Sequence, residues 1–349
     1  MHFNETEIAS IDIDDMRGQI NSLYSQISDS IDIVSNFTNC DNSYSDTVRN
    51  YNKILIIGMG GSAIGADFAR SIVEAESCIP IFVLRDYSIP NWVDKKTFVI
   101  ASSYSGNTEE TLMAYSKCLK IGCNSIAIST GGELSKLALA NNIGVIPIPK
   151  GFQPRAAIGY SLSILLLLFI DMGLVNKEML KDIMNVARNK LGANYIDSSK
   201  KIAEKIFNTF PVIYSGGGYT EILSIRLKGQ LAENSKILSY YSTFPEHNHN
   251  EIEGWNKLED LISQFSVLWI RDENDNPHIK KRMDSVKNII NKFSDKQIEL
   301  NLKGDSEIER VFSMIHYIDW ISFYLAIMYK VNPSPVNNIM KLKSIMSKK

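Results

Sequence analysis

From Lys53 onward the chain repeats one pattern: a short apolar run, a turn rich in glycine or hydroxyls, then a stretch with helical spacing. Short continuous apolar runs bounded by turns read as strands buried on both faces. Strands that succeed one another through helices pair in parallel, because a parallel pair needs a long crossover. Runs at 54–57, 81–84, 98–101, 125–128 and 144–148 therefore predict a doubly wound sheet of about five strands. The pattern restarts near Phe210, where 212–214 followed by Ser215-Gly216-Gly217-Gly218 echoes 54–57 followed by Gly58-Met59-Gly60-Gly61-Ser62. Later strands fit at 265–270 and 298–302, and a long apolar helix at 308–329 parallels one at 158–170. This imperfect repeat predicts an α/β protein of two related αβα sandwiches.

Other features set the boundaries. Met16, Ile20, Leu23, Ile27, Ile31 and Val34 recur at three- and four-residue steps, which predicts one opening helix whose apolar stripe docks on the first domain. The expected organisation is an N-terminal helical segment over 1–48, a first domain over 49–185 and a second over 186–349. The join falls in the polar helical stretch 176–201, where apolar content drops and charge rises. At 349 residues with 44% hydrophobic content the chain has enough apolar surface for two cores.

The formal net charge of -2 contains no basic block, so neither a nucleic-acid surface nor a polybasic membrane patch is expected, and the natural partner is a small molecule. Four cysteines, Cys40, Cys78, Cys118 and Cys123, lack Cys-x-x-Cys spacing and fit reduced residues of a cytoplasmic protein. Glu5, Glu7, Asp12, Asp14 and Asp15 make the opening segment unlike a secretory signal. The run 158–170 is ended by Asp171, short of the roughly 20 apolar residues a spanning helix needs, and reads as a buried helix.

The chemistry concentrates in turns. Ser103-Tyr104-Ser105-Gly106-Asn107-Thr108 lies between a strand and a helix, where backbone N–H groups, hydroxyls and the helix dipole converge on one spot that suits a phosphate. An ordinary turn with Thr108 as helix N-cap has the same composition. Gly58, Gly60 and Ala63 also satisfy a G-x-G-x-x-A dinucleotide fingerprint, with Asp86 at the end of the next strand as a ribose ligand, so an NAD-dependent oxidoreductase is the rival reading. A dinucleotide site does not require the second, hydroxyl-rich turn; two strand ends meeting at a sheet crevice would bring Ser62 and Ser103 together.

Arg155, in Pro154-Arg155-Ala156-Ala157, stands at the mouth of the buried helix and would face the same strand ends as a fixed cation. Glu233 lies on a helix after the second glycine turn, and spacing alone does not separate it from solvated surface. The loop Pro245-Glu246-His247-Asn248-His249-Asn250-Glu251 holds two of the five histidines. His-x-His with a nearby Glu is a zinc pattern, but such sets sit on the strands of all-β folds, and a proton-transferring His suits this chain better.

In this order, Gly58-Met59-Gly60-Gly61-Ser62, the 103–108 loop, Pro154-Arg155-Ala156, Asn234-Ser235-Lys236, Asn248-His249-Asn250-Glu251 and Pro333-Ser334-Pro335-Val336 leading to Leu342-Lys343 resemble the bifunctional phosphoglucose/phosphomannose isomerases, of the sugar isomerase (SIS) domain group. The tail reads Asn332-Pro333-Ser334-Pro335 where many relatives carry Asp-Pro-Thr-Pro. The resemblance implies two SIS domains, each with a mostly parallel five-stranded sheet, in a homodimer. The implied reaction interconverts glucose 6-phosphate and mannose 6-phosphate with fructose 6-phosphate, with no metal and no cofactor. It further implies that Ser103, Ser105 and Thr108 hold the phosphate and that Gly61 and Ser62 line the sugar site. Glu233 is then the base, His249, supplied across the dimer interface, opens the ring, and Arg155 stabilises the enediolate. Lys343 also helps to open the ring. Lys341 and Lys343 point about 200° apart on a helix, so one of them faces a site, and Lys343 is preferred. A non-catalytic sugar-phosphate sensor would need the phosphate loop but not Glu233, His249 and the tail lysine together.

Overall fold

A computed structural model describes residues 4–40, 50–189 and 195–346. The chain forms two compact units, one comprising Asn21–Lys190 and Gly304–Glu309, the other Met1–Ile20, Leu191–Lys303 and Arg310–Lys349.

The first of these is built on five parallel strands, β1 (Lys53–Ile57), β2 (Ile81–Leu84), β3 (Thr97–Ser103), β4 (Ser125–Ser129) and β5 (Val145–Pro147), in the order β2-β1-β3-β4-β5. β1 pairs β3 with Ile54 opposite Phe98, and β3 pairs β4 with Ser103 opposite Ser129. Every residue of β3 is buried, which explains its unbroken apolar run up to the serines. The crossovers are α4 (Gly60–Val73), α5 (Glu109–Ile121) and α6 (Gly132–Ala140). Strand order reverses between β1 and β3, and the carboxyl ends of those two strands define the crevice in which such sheets bind ligands. The buried helix expected at 158–170 is α7 (Ile158–Asp171), covered by α3 (Leu23–Cys40) and α8 (Met179–Asn189).

The other unit carries β6 (Phe210–Ser215), β7 (Tyr240–Thr243), β8 (Phe265–Arg271) and β9 (Gln297–Asn301), parallel and ordered β7-β6-β8-β9. Among the described residues this sheet has four strands, not the five expected. β7 was absent from the sequence reading because its four residues form a partly exposed edge with no apolar run. α9 (Ile196–Ile206), α10 (Tyr219–Glu233), α11 (Glu259–Ile262), α12 (Pro277–Ile290) and α13 (Glu307–Met328) complete the sandwich, and α14 (Asn337–Met346) follows a Pro-Ser-Pro tail. By length and composition α13 is apolar enough to cross a membrane, yet 94% of its apolar window is buried inside the protein, as in a core helix.

The opening stripe is split, contrary to the single helix expected. α1 (Glu5–Ile11) and α2 (Met16–Asn21) precede a break at Ser22, whose carbonyl accepts from Gln26 N as α3 begins. Asn and Ser are weak interior helix formers, which locates the break. Met16 and Ile20 fall in one unit and Leu23, Ile27 and Val34 in the other, so one periodic run serves two cores.

Candidate active site

The residues expected to bind phosphate and sugar lie in the β1–β5 unit. Ser103 ends β3 and is buried, and its Oγ accepts from Gly106 N at 3.1 Å and lies 2.9 Å from Thr108 Oγ1. Thr108 is the N-cap of α5, but its side chain makes no cap hydrogen bond. The hydroxyl turns to Ser103 instead, and the first-turn N–H groups of α5 are left to other acceptors. Ser105 is exposed and accepts from Asn107 N at 3.2 Å.

Neighbouring turns hold this loop in place. Gly106 has φ +69°, and a Cβ there would stand 1.8 Å from Gly131 O in the β4–α6 turn, so only glycine fits. Asn107 Oδ1 accepts from Glu133 N at 3.1 Å, and the Tyr104 carbonyl closes the same seam by accepting from Thr130 N at 3.0 Å. Tyr104 OH donates to Pro149 O and accepts from Phe152 N, each at 2.9 Å, and its burial raises the phenol above its ordinary range. Tyr104 thereby fastens the segment before Arg155 to the hydroxyl loop.

Gly61 and Ser62 occupy the first turn of α4, and Ser62 is buried. A Cβ on Gly61 would come 2.6 Å from Pro154 O, so the β1–α4 turn and the Pro154–Ala156 3-10 turn touch backbone to backbone. Arg155 is buried, with Nη1 3.5 Å from Gln153 Oε1. Gln26 of α3, fully buried, donates to Ala156 O at 2.8 Å and accepts from Gly159 N at 3.0 Å, fixing the start of α7 beside Arg155. Sequence reasoning missed Gln26; its signal is a polar residue one step from the apolar stripe. Asp86, the ribose ligand of the dinucleotide reading, caps its own turn by accepting from Ser88 N at 3.0 Å.

Glu233, His249 and Lys343 lie in the β6–β9 unit. Glu233 is the last residue of α10 and is half-buried on the wall of a pocket of about 640 Å³ that Lys236, Asn332, Pro335, Val336 and Asn338 also line. The end of α10 is fixed by a buried polar network. Arg226 Nη2 donates to both carboxylate oxygens of Asp319 at 2.7 Å, and Gln230 Nε2 donates to Asp319 Oδ1 at 2.7 Å. Asn234 Nδ2 donates to Ser322 Oγ at 2.9 Å, and Ser235 Oγ to Ser322 O at 2.7 Å. Both neighbours of Glu233 on the C-terminal side are thus tied to α13.

The two histidines of the loop face opposite ways. His247 is fully buried, stacked on Phe244 with ring centroids 4.7 Å apart, and its burial lowers its pKa. His249 is exposed at the end of a 3-10 turn. Glu251 anchors the segment by accepting from Tyr214 OH at 2.6 Å and Tyr240 OH at 3.0 Å. Among the described residues no group of three or more His, Cys, Asp or Glu side chains is placed to hold a metal. Lys341 and Lys343 are both exposed on α14.

The glycine echo after β6 leads to different chemistry. Tyr219 OH donates to Asp272 Oδ2 at 2.7 Å, and Arg310 Nε donates to the same oxygen at 3.1 Å, with Asp272 and Arg310 both buried. A Cβ on Gly216 would stand 3.0 Å from Asp275 Oδ1. Asp275 therefore lies against the glycine turn that echoes Gly58-Met59-Gly60-Gly61.

Residues 196–346 match the family model for the bacterial phospho-glucose isomerase C-terminal SIS domain. The tagatose-6-phosphate ketose/aldose isomerase from Escherichia coli shares the fold at a TM-score of 0.70 and 13% identity, over 95% of this chain and 94% of that one. The fold is that of SIS-domain proteins. The chain is 40% identical over 301 residues to the bifunctional phosphoglucose/phosphomannose isomerase of Caldicellulosiruptor bescii, covering 84% of this chain and 88% of the relative. It is 37% identical to the enzyme of the same name from Aquifex aeolicus, over 85% of this chain and 91% of the relative. The chain belongs to the bifunctional phosphoglucose/phosphomannose isomerase family.

Proposed function

We propose that this protein interconverts glucose 6-phosphate and mannose 6-phosphate with fructose 6-phosphate through a cis-enediolate, using no metal and no dissociable cofactor. The observation that carries this reading is the 103–108 loop. Its Ser103 and Thr108 hydroxyls are drawn together, and the N-terminus of α5 receives no side-chain cap from Thr108. Ser103, Ser105 and Thr108 hold the phosphate, and Gly61 and Ser62 line the sugar. Phosphate held remote from the reacting carbons keeps the open chain in register, so its binding energy serves orientation.

Moving the carbonyl between C1 and C2 removes a proton from one carbon and returns it to the other. Glu233 performs both transfers, a type of assistance that contributes about 10²- to 10⁴-fold. Arg155 stabilises the negative charge of the intermediate without losing its own proton. Glucose and mannose 6-phosphates differ only at C2 and converge on the same planar intermediate, which accounts for dual specificity. His249 of the partner subunit and Lys343 assist ring opening; the exposure of both side chains is in keeping with that use. The working form is a homodimer in the cytoplasm, a setting in keeping with the free thiols of Cys78, Cys118 and Cys123.

A coupled assay forming fructose 6-phosphate from each aldose phosphate, with and without a chelator, tests the reaction. Activity on both that persists with chelator is expected; activity abolished by chelator overturns the metal-free reading. Glu233→Gln should bind 5-phosphoarabinonate, an enediolate mimic, while turnover falls by about 10³-fold or more. Turnover retained in that variant removes Glu233 as the base.

A further inference from the structure

We infer that Lys236 is a positioning residue that locks the end of α10, and with it Glu233, to the tail leading into α14. The inference rests on the role given to Glu233 above. Lys236 lies three residues beyond Glu233 with φ +61°, a left-handed conformation that glycine adopts freely and that a residue with a side chain adopts at a cost. Helix ends of this kind are usually closed by glycine, so the lysine needs a reason in its side chain.

That reason is visible in its partners. The ammonium donates to the Glu233 carbonyl, to Pro333 O at 3.1 Å and to Pro335 O at 2.6 Å. An ammonium has three donors and no acceptor, and these three bonds draw together two separate segments. One partner is the last carbonyl of α10, where the helix dipole favours a cation. The other two belong to prolines, whose fixed φ angles stiffen the tail, so that two contacts suffice to hold it. Glu233, Lys236 and the tail residues Asn332, Pro335, Val336 and Asn338 line the same pocket, so the ammonium joins the wall that carries the carboxylate to the wall that faces it. A guanidinium is a flat fork and does not reproduce a three-way clamp.

Three variants separate this role from simple helix capping: Lys236→Met removes the charge and keeps the bulk, Lys236→Gly also relieves the backbone, and Lys236→Arg keeps the charge. In all three, kcat should fall, by about 10²-fold for Met and Gly and less for Arg, because a small misplacement of a catalytic group has that effect. KM for the sugar phosphate should stay within about threefold, since the phosphate loop is untouched. Hydrogen exchange should quicken at Ser334 and at 336–340 and stay unchanged at 103–108. A Lys236→Gly enzyme with wild-type kcat overturns the proposal, as does unchanged tail exchange in both Met and Gly variants. Glu233→Gln, assayed in parallel, keeps two failures apart: turnover retained there overturns the base assignment, whereas an inactive Glu233→Gln beside fully active Lys236 variants overturns only the clamp.

Discussion

Asp319→Ala is the most informative single change for the packing behind Glu233. Arg226 and Asp319 are 4% and 3% exposed, and three hydrogen bonds of 2.7 Å converge on the one carboxylate from Arg226 and Gln230. Truncation leaves a guanidinium buried without its counter-ion, which costs about 3–5 kcal/mol. The orphaned Gln230 donor overlaps with that loss, so about 4 kcal/mol is the expected total. With a urea slope of about 2 kcal/mol/M, the midpoint of this unit's transition should drop by about 2 M. Three of the four tryptophans, Trp255, Trp269 and Trp320, lie in the same unit, so their fluorescence follows its transition. The double variant Arg226→Met/Asp319→Leu should recover to within about 1 kcal/mol of wild type, because removing both charges removes the desolvation penalty along with the attraction. A midpoint shift below about 0.5 M for Asp319→Ala, or a double variant no more stable than the single one, refutes the reasoning.

Other expectations follow from single sites. His316 is buried between the Ile20 backbone and Trp320, whose Nε1 donates to its Nε2 at 3.0 Å, and burial lowers its pKa to about 4. The unfolded chain binds a proton there near pH 6.5 and the folded one does not. Stability from this site is therefore complete above about pH 6.5 and falls by roughly 3 kcal/mol as pH drops to about 4; a His316→Asn variant whose urea midpoint shows the same pH slope argues against it. Gly61→Ala should push the Pro154–Ala156 turn away, cost about 1–3 kcal/mol and lower kcat/KM by about 10²-fold, while Gly217→Ala, with open space around it, should stay within about 0.5 kcal/mol in thermal unfolding. His249→Ala should lose more activity on cyclic hexose phosphates than on an analogue unable to close its ring, and equal losses count against ring opening by this residue.

The parallel strands of the first sheet were legible because each is a buried apolar run closed by a turn, and the 103–108 loop because its hydroxyls interrupt such a run at a strand end. β7 was not, since an exposed edge strand of Tyr, Tyr, Ser and Thr carries no burial signature. The break at Ser22 was hidden by a period that continues through it; only tertiary contact assigns its two halves to different cores. Lys236, Gln26 and Asp319 were beyond reach for a related reason: each bonds to groups 89 to 133 residues away, and hydrogen bonds at that separation leave no local pattern.

The buried carboxylate of Asp272 gives the internal repeat its asymmetry. Arg310 and Tyr219 both donate to Asp272, so the buried cation of the later copy already has its counter-ion. The repeated architecture thus carries different polar chemistry in its two halves, hydroxyls drawn together at the end of β3 and a closed Tyr219–Asp272–Arg310 cluster at the end of β8.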